Sequence, residues 1–413
     1  MNDSVPEGWK SVKLDDVAEE RSDRIDYPSK SGHDRFVGLE HLDSGELTIR
    51  RWGSTAELLS AMKLFKSGDI LIGRRNAYLK RASKADFDGV CSGDAYVVRE
   101  KPGTIANELL PIILNSDYFW DYTIAHASGT MSKRAKWRDL AEYTFLLPSP
   151  EEQCRIATTI WAAEDCIVKG ERFVTAAERA KQLLIRNLFS KGIGNTEFEQ
   201  INGFGKFPKG WEIVQAQKLL DDEKIQKIQD GNYGGQYPRF SDFSTEGLPF
   251  ISATHVSLTG EIQFSQAPKL PEKCYSRLRI GPSLAGDVIL THNATVGRVG
   301  IVPNNVKKCL ASTTTTYYRV NSQFLHNRYL LNFMLTDFYQ KQLISVMKQS
   351  TRNQVPITMQ KKLFIILPPL AEQRQIAAIL TSCDETIAAA RSNIATMKAL
   401  KMKMINEMLI PGI

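Results

Sequence analysis

Cysteine is scarce in this chain, and what little there is does not cluster. None of Cys91, Cys154, Cys166, Cys274, Cys309 and Cys383 forms a CxxC pair or stands at close His/Cys ligand spacing. That argues against a disulfide framework and against a zinc site. Two of the six fall in one predicted helix and one in another, where a free thiol is expected to behave as a small apolar residue. Long apolar runs are missing too: no stretch of about 18 apolar residues occurs, so no membrane-spanning helix is expected. The opening MNDSVPEGWK is polar and lacks the apolar core of a secretory signal, so a reducing, cytoplasmic location is expected. Catalytic signatures are also lacking. There is no GxxxxGK[ST], GxGxxG, GxSxG or HExxH, and no carboxylate pair that spacing alone would defend. The six histidines (His33, His41, His126, His255, His292, His326) are scattered, and each reads as a loop or core residue. The glycine-rich Asp230–Gly235 fits no phosphate-loop pattern. No catalytic residue, cofactor or metal is expected, which leans toward a binding role. Charge of one sign is in slight excess, +7 with a pI near 8.9; this suits a nucleic-acid partner without requiring one.

What the chain does have is an internal repeat. Leu147-Pro148 opens LPSPEEQCRIATTIWAAEDCI, and Leu367-Pro368 opens LPPLAEQRQIAAILTSCDETI. Glu152-Gln153 aligns with Glu372-Gln373, and Ile156-Ala157 with Ile376-Ala377, at a constant offset of 220 (372 − 152). Apolar or small residues recur at alternating steps of four and three. The first copy has Ile156, Ile160, Ile167, Val174, Leu184 and Leu188; the second has Ile376, Leu380, Ile387, Ile394, Met404 and Met408. This is the heptad seam of a coiled coil. The one charged seam residue, Lys181, returns as Lys401. Prolines before each segment and carboxylates in each first turn mark helix starts. A single such stripe would read as a helix on a core; two that match position for position predict a pair of helices packed on each other. Trp161, Phe173, Ile185, Phe189, Ile379, Leu400, Ile405 and Leu409 lie off the seam and need another cover, either the globular units or a partner.

The repeat reaches beyond the helices. Pro6-Glu7-Gly8-Trp9 returns as Pro208-Lys209-Gly210-Trp211, Gly68-Asp69-Ile70 as Gly286-Asp287-Val288, and Tyr96-Val97-Val98-Arg99 as Thr316-Tyr317-Tyr318-Arg319. Each half reads as a mixed α/β unit followed by its helix. The first has strands near 36–39, 69–72, 95–99 and 144–147 and a helix over 106–127. The second has strands near 249–251, 287–291, 313–320 and 363–367 and a helix over 323–347. Glycines in Ser190–Asn195 suit the end of the first long helix.

Two Trp-led units, each followed by LP-x-P/L-x-EQ-x-x-I-A and a long helix, resemble the specificity subunit of type I DNA restriction-modification systems over nearly the whole chain. The resemblance implies an α+β chain: two pseudo-symmetric mixed α/β target recognition domains separated by two long helices forming an antiparallel coiled coil. The expected bounds are 1–147 and 194–367 for the recognition domains and 148–193 and 368–413 for the helices. It also implies a non-catalytic subunit that binds double-stranded DNA, each domain reading one half of a bipartite, asymmetric target. The helices would set the spacing and dock two methyltransferase subunits, with nuclease-translocase subunits completing the complex. The first copy departs at Ser149-Pro150, where the second has Pro369-Leu370, which bears on how the first helix starts.

The side chains suit that role independently, since duplex binding needs cations for phosphates and planar groups for base edges. After the first GDI strand come Arg74, Arg75, Asn76, Lys80 and Arg81, and before the first long helix come Ser128, Lys133, Arg134, Lys136 and Arg138. The second half offers His292, Asn293 and Arg298, then Lys348, Gln349, Ser350, Arg352, Asn353 and Gln354. One rival is a restriction or methylation enzyme with its own active site, but a methyltransferase needs a cofactor glycine motif and an Asn/Asp-Pro-Pro-aromatic tetrapeptide, which are missing. The other is a protein-protein scaffold or DNA mimic; a mimic should be acidic, against the +7 found.

Overall fold

The computed structural model describes residues 7–30, 32–106, 108–129, 132–349 and 353–409. The chain divides into two compact units, Met1–Val174 with Ala389–Ile413 and Thr175–Ala388, and both divisions fall inside the long helices.

In unit 1 the central sheet comprises β2 (Ala18–Arg21), β3 (Ile70–Gly73), β4 (Ala82–Lys84) and β5 (Ala95–Glu100), in the order β2-β5-β3-β4. A separate ladder pairs β1 (Lys10–Lys13) with β6 (Thr144–Leu147), Lys10 opposite Leu147. A second, five-stranded sheet holds the segments Arg24–Ile25, Arg35–Val37, Gly53–Ser54, Met62–Phe65 and Gly89–Cys91. Helices α1 (Leu110–Ile113), α2 (Asp117–His126) and α3 (Trp137–Ala141) cover the central sheet, and α4 (Pro150–Lys191) follows.

Unit 2 repeats the plan. The ladder joins β7 (Glu212–Gln215) to β12 (Phe364–Leu367), and the central sheet runs β8-β11-β9-β10, with β8 at Ile225–Asp230, β9 at Val288–Asn293, β10 at Thr295–Ile301 and β11 at Thr315–Val320. Helices α5 (Asn327–Met334), α6 (Asp337–Lys348) and α7 (Ile357–Gln360) precede α8 (Leu370–Met408). The shared strand order is why the GD and Arg motifs recur. Asp69 takes both Nε and an Nη of Arg99 at 2.6 and 2.8 Å, and Asp287 does the same with Arg319 at 3.0 and 2.8 Å. A bidentate pair of this kind, made on a buried carboxylate, locks two neighbouring strands in register.

The expected single helix over 106–127 is two, α1 and α2, and that over 323–347 is α5 and α6. Ser116 and Thr336 interrupt them, each accepting the amide three residues on, from Phe119 at 3.2 Å and Tyr339 at 3.3 Å. A hydroxyl followed by Asp117 or Asp337 is an N-cap signal that outweighed the apolar period.

The LP…EQ motif has a structural reason. Gln153 accepts from the Ala106 amide at 2.7 Å and donates to the Pro148 carbonyl at 2.8 Å, while Gln373 accepts from His326 at 2.9 Å and donates to Pro368 at 2.9 Å. Each buried amide thus ties a helix start to its own unit. Glu372 accepts from Ile193 N, Asn195 Nδ2 and the Trp211 indole at 2.8, 2.7 and 2.9 Å, which fastens the end of α4 within unit 2.

The two long helices pack together and run antiparallel. In unit 1, Glu164 meets Lys401 at 2.5 Å, and a Cβ on Gly170 would stand 2.9 Å from Ile394. In unit 2, Lys181 meets Asp384 at 2.5 Å. Of the seam residues, Ile156, Ile160, Ile167, Val174, Leu188, Ile376, Leu380 and Ile387 are buried; Leu184, Ile394, Met404 and Met408 are half-buried. Toward the helix ends the buried face turns: Ile185, Phe189, Ile405 and Leu409, expected off the seam, enter the cores of their own units, while Phe173, Ile379 and Leu400 stay exposed. Cys154 and Cys166 are exposed, so the apolar role expected of thiols on the first helix does not hold there. Gly231 is a packing glycine rather than a phosphate cradle, because a Cβ there would collide with the Ala311 and Ser312 backbone. Among the described residues no helix is long and apolar enough to cross a membrane, and no group of three or more His, Cys, Asp or Glu could hold a metal ion.

Candidate nucleic-acid interface

In unit 1 the chain leaves β3 at Arg74 and re-enters the sheet at Ala82, with Gly73 N donating to Arg81 O at 2.9 Å to close the loop. The second basic segment lies directly on it. Asn76 N donates to Lys133 O at 3.0 Å and Ala135 N to Arg74 O at 2.8 Å, with Arg75 bridged to Arg134. Ser132 joins the side chains, accepting from Arg75 Nε at 3.0 Å and donating to Asn76 Oδ1 at 3.1 Å. Arg74, Arg75 and Arg134 share one carboxylate, Asp94, at 3.4, 3.8 and 3.7 Å. Three guanidinium groups around one acid leave a net cationic surface. Lys80 pairs with Asp117 at 2.6 Å and Arg81 is half-buried. Lys133, Lys136 and Arg138 are exposed, with Arg138 3.2 Å from its neighbour Asp139.

Unit 2 pins the corresponding backbone in the same way. Ala294 N donates to Asn353 O at 3.1 Å and Val355 N to His292 O at 2.8 Å, and Asn293 bridges Gln354. The tip residues Asn76 and Ala294 both lie in the left-handed region, at φ 56° and 63°. On this common frame the side chains differ. Unit 1 presents arginines and lysines, whereas unit 2 presents the amides of Asn293, Asn353 and Gln354, with Lys348 exposed at the end of α6.

Two sequence candidates do not face outward. His292 is 1 % exposed, its Nδ1 2.8 Å from the Thr316 hydroxyl, which in turn accepts from Gln360 at 3.0 Å. Burial lowers its pKa below the ordinary histidine value, partly countered by Asp230. It therefore supports the hairpin from inside and is corrected from a base-reading residue to a positioning one. The Arg298 guanidinium is held by the Val256 carbonyl at 2.7 Å, and its backbone by Thr291 Oγ1 at 3.0 Å. Arg352 and Ser350 lie outside the described residues. Sequence reasoning missed Ser132, Asp94 and the exposed Tyr78; an aromatic inside Arg-Arg-Asn-Ala-Tyr-Leu-Lys-Arg was a readable signal for the last.

A family model, the Type I restriction modification DNA specificity domain, matches residues 280–398. The MjaVIII specificity subunit of a type I restriction enzyme from Methanocaldococcus jannaschii is 23% identical over 64% of this chain, and the chain spans only 60% of that protein's length. A putative MjaX specificity subunit from the same organism is 23% identical over 98% of this chain and 93% of its own length. Among solved structures, a chain from work on complex assembly and conformational transition of the type I R-M system has the same fold, with a TM-score of 0.59 and 23% identity over 98% of both chains. In sequence over nearly its whole length, and in fold, the chain is thus similar to specificity subunits of type I restriction enzymes.

Proposed function

We propose that the chain is the non-catalytic DNA sequence-recognition subunit of a type I restriction-modification complex, working in the cytoplasm. Residues 1–147 and 194–367 serve as its recognition domains, and each reads one half of a bipartite, asymmetric duplex target. The helices over 148–193 and 368–413 set the half-site spacing and dock two methyltransferase subunits, to which nuclease-translocase subunits add. The observation that carries the reading is the identical backbone pinning of both loops, Asn76 on Lys133 and Ala294 on Asn353, under two different sets of side chains. Arginine pairs well with the guanine edge and asparagine or glutamine with the adenine edge, so one frame with two loops suits two unlike half-sites. Arg75, Lys133, Arg134 and Lys136 supply phosphate contacts in unit 1, with Arg74, Asn76, Lys80, Arg81 and Arg138 flanking them; in unit 2 Lys348 does so, while Asn293, Asn353 and Gln354 offer their amides to base edges.

Duplex binding by the full chain, titrated against salt, tests this. The logarithm of affinity should fall linearly with the logarithm of salt, and Arg75→Ala with Arg134→Ala should flatten the slope by about one unit per lost phosphate contact. Binding that is indifferent to salt and to both substitutions would contradict it.

A further inference from the structure

The apex of the unit 1 loop carries one feature that cationic contact with phosphates does not need. Residues Ala77–Leu79 form a single 3-10 turn, and the residue on each side, Asn76 and Lys80, sits at positive φ, 56° and 46°. Asparagine tolerates this region, but at Lys80 the conformation costs on the order of 1 kcal/mol or more unless its surroundings hold it. They do hold it. Asn76 N is bonded to Lys133 O at 3.0 Å, Lys80 N to Ala77 O at 2.9 Å and Lys80 Nζ to Asp117 at 2.6 Å, and Ala77 is buried beneath. The effect of this double reversal is to put Tyr78 outermost, 64 % exposed, on a loop that also bears Arg75 and Arg81. Scattered exposed tyrosines are ordinary on protein surfaces. A tyrosine held up between two pinned left-handed residues, one of them a strained lysine, within a cationic loop is a different matter. At the equivalent place unit 2 has Asn293-Ala294-Thr295, with no aromatic.

We propose that Tyr78 is a specificity-determining residue whose ring lies against base edges in the half-site read by unit 1, an apolar contact of the kind made with a thymine methyl. The proposal rests on the DNA-recognition reading and deepens it. The cations of the loop hold the phosphates while the ring discriminates among bases.

The test uses the full chain and a pool of duplexes with randomised cores, from which bound DNA is selected and sequenced. Tyr78→Ala should flatten base preference at one or two positions of one half-site, leave the other half-site unchanged, and lower affinity for the enriched duplex about tenfold. Tyr78→Phe should keep both, because the ring is retained. If Tyr78→Ala leaves every preference intact while Arg75→Ala weakens binding to all duplexes, Tyr78 is a bystander and DNA recognition still stands. If Tyr78→Phe loses as much as Tyr78→Ala, the hydroxyl makes the contact and the ring proposal is wrong. If the unmodified chain enriches no duplex, the recognition reading fails and this proposal fails with it.

Discussion

The repeat places one charged pair on the helices twice, and the two copies live in different surroundings. In unit 1, Lys401 and Glu164 are 3 % and 2 % exposed. In unit 2 the same pair, Lys181 and Asp384, has side chains 15 % and 46 % exposed. The difference lies in the loop that follows the repeated histidine. Both histidines do the same local job, His41 Nδ1 accepting from Gly38 N at 2.9 Å and His255 Nδ1 from Ser252 N at 3.0 Å. After His41 the chain crosses onto the helices: Lys401 Nζ donates to Gly45 O at 2.7 Å, and Arg50 binds Glu164 and, at 2.5 Å, Glu171. After His255 the loop lies on β10, where Gly260 comes so close that a Cβ would stand 2.8 Å from the Val299 carbonyl. A duplicated sequence thus fixes which residues pair, while a loop of a few residues decides how much that pair matters. Burial also lowers the Lys401 pKa despite its partner Glu164, so desolvation is the larger influence there.

The sharpest way to break this contrast is to delete the lysines. Lys401→Ala leaves the buried Glu164 to Arg50 alone and the Gly45 carbonyl without its donor, and should destabilise by about 2 kcal/mol. Lys181→Ala should change stability by less than about 1 kcal/mol, because an exposed pair is weak. Urea denaturation of both variants measures this; equal losses would mean that the capping loop does not exclude solvent. The motif glutamines make the opposite case, since their surroundings match. Gln153→Ala and Gln373→Ala should each cost about 2 kcal/mol by leaving a buried amide and carbonyl unpaired, and unequal losses would break the structural repeat at the helix starts.

Acid should separate the units more gently. Burial lowers the pKa of His255, His292 and His326, all in unit 2. A histidine depressed in the folded state resists protonation while the unfolded chain accepts it near 6.5, so its contribution is present above that value and is lost as pH falls through 6.5 toward the folded pKa. Amide-exchange protection of β9 and β11 should therefore decline between about pH 7 and 5.5, and His292→Asn should reduce the slope. A slope that His292→Asn leaves unchanged would remove His292 as its source. The smallest effect concerns the loop tips. Ala294→Gly should stabilise by about 0.5–1 kcal/mol, since alanine is strained at φ 63°. Asn76→Gly should be close to neutral, because asparagine tolerates that region, and thermal melts distinguish the two.

Much of the architecture was legible because it was written twice. The constant offset of 220 exposed the helices and their register, and the ladder strands at 144–147 and 364–367 stood out as apolar runs before a Leu-Pro. The helix breaks at Ser116 and Thr336 were hidden inside an apolar period that continued across them. The turn of the buried face toward Ile185 and Ile405 was hidden as well, since a straight helix drifts against a seven-residue repeat and the ends pack on globular cores. At the candidate interface, sequence singled out the two basic segments separately, but nothing in it said that 74–76 and 133–135 share hydrogen bonds. His292 looked like a loop reader because its burial depends on Thr316 and Gln360, residues far along the chain.

Mapping of methylated bases across the genome of the host, with and without this gene, bears most directly on the claim that one frame carries two unlike readers. A bipartite site is expected whose halves differ in sequence and are separated by an unread spacer, and substitutions at Asn76 and Tyr78 should alter one half while those at Asn293 and Asn353 alter the other. A palindromic site, a single uninterrupted one, or substitutions in one unit that change both halves would contradict it.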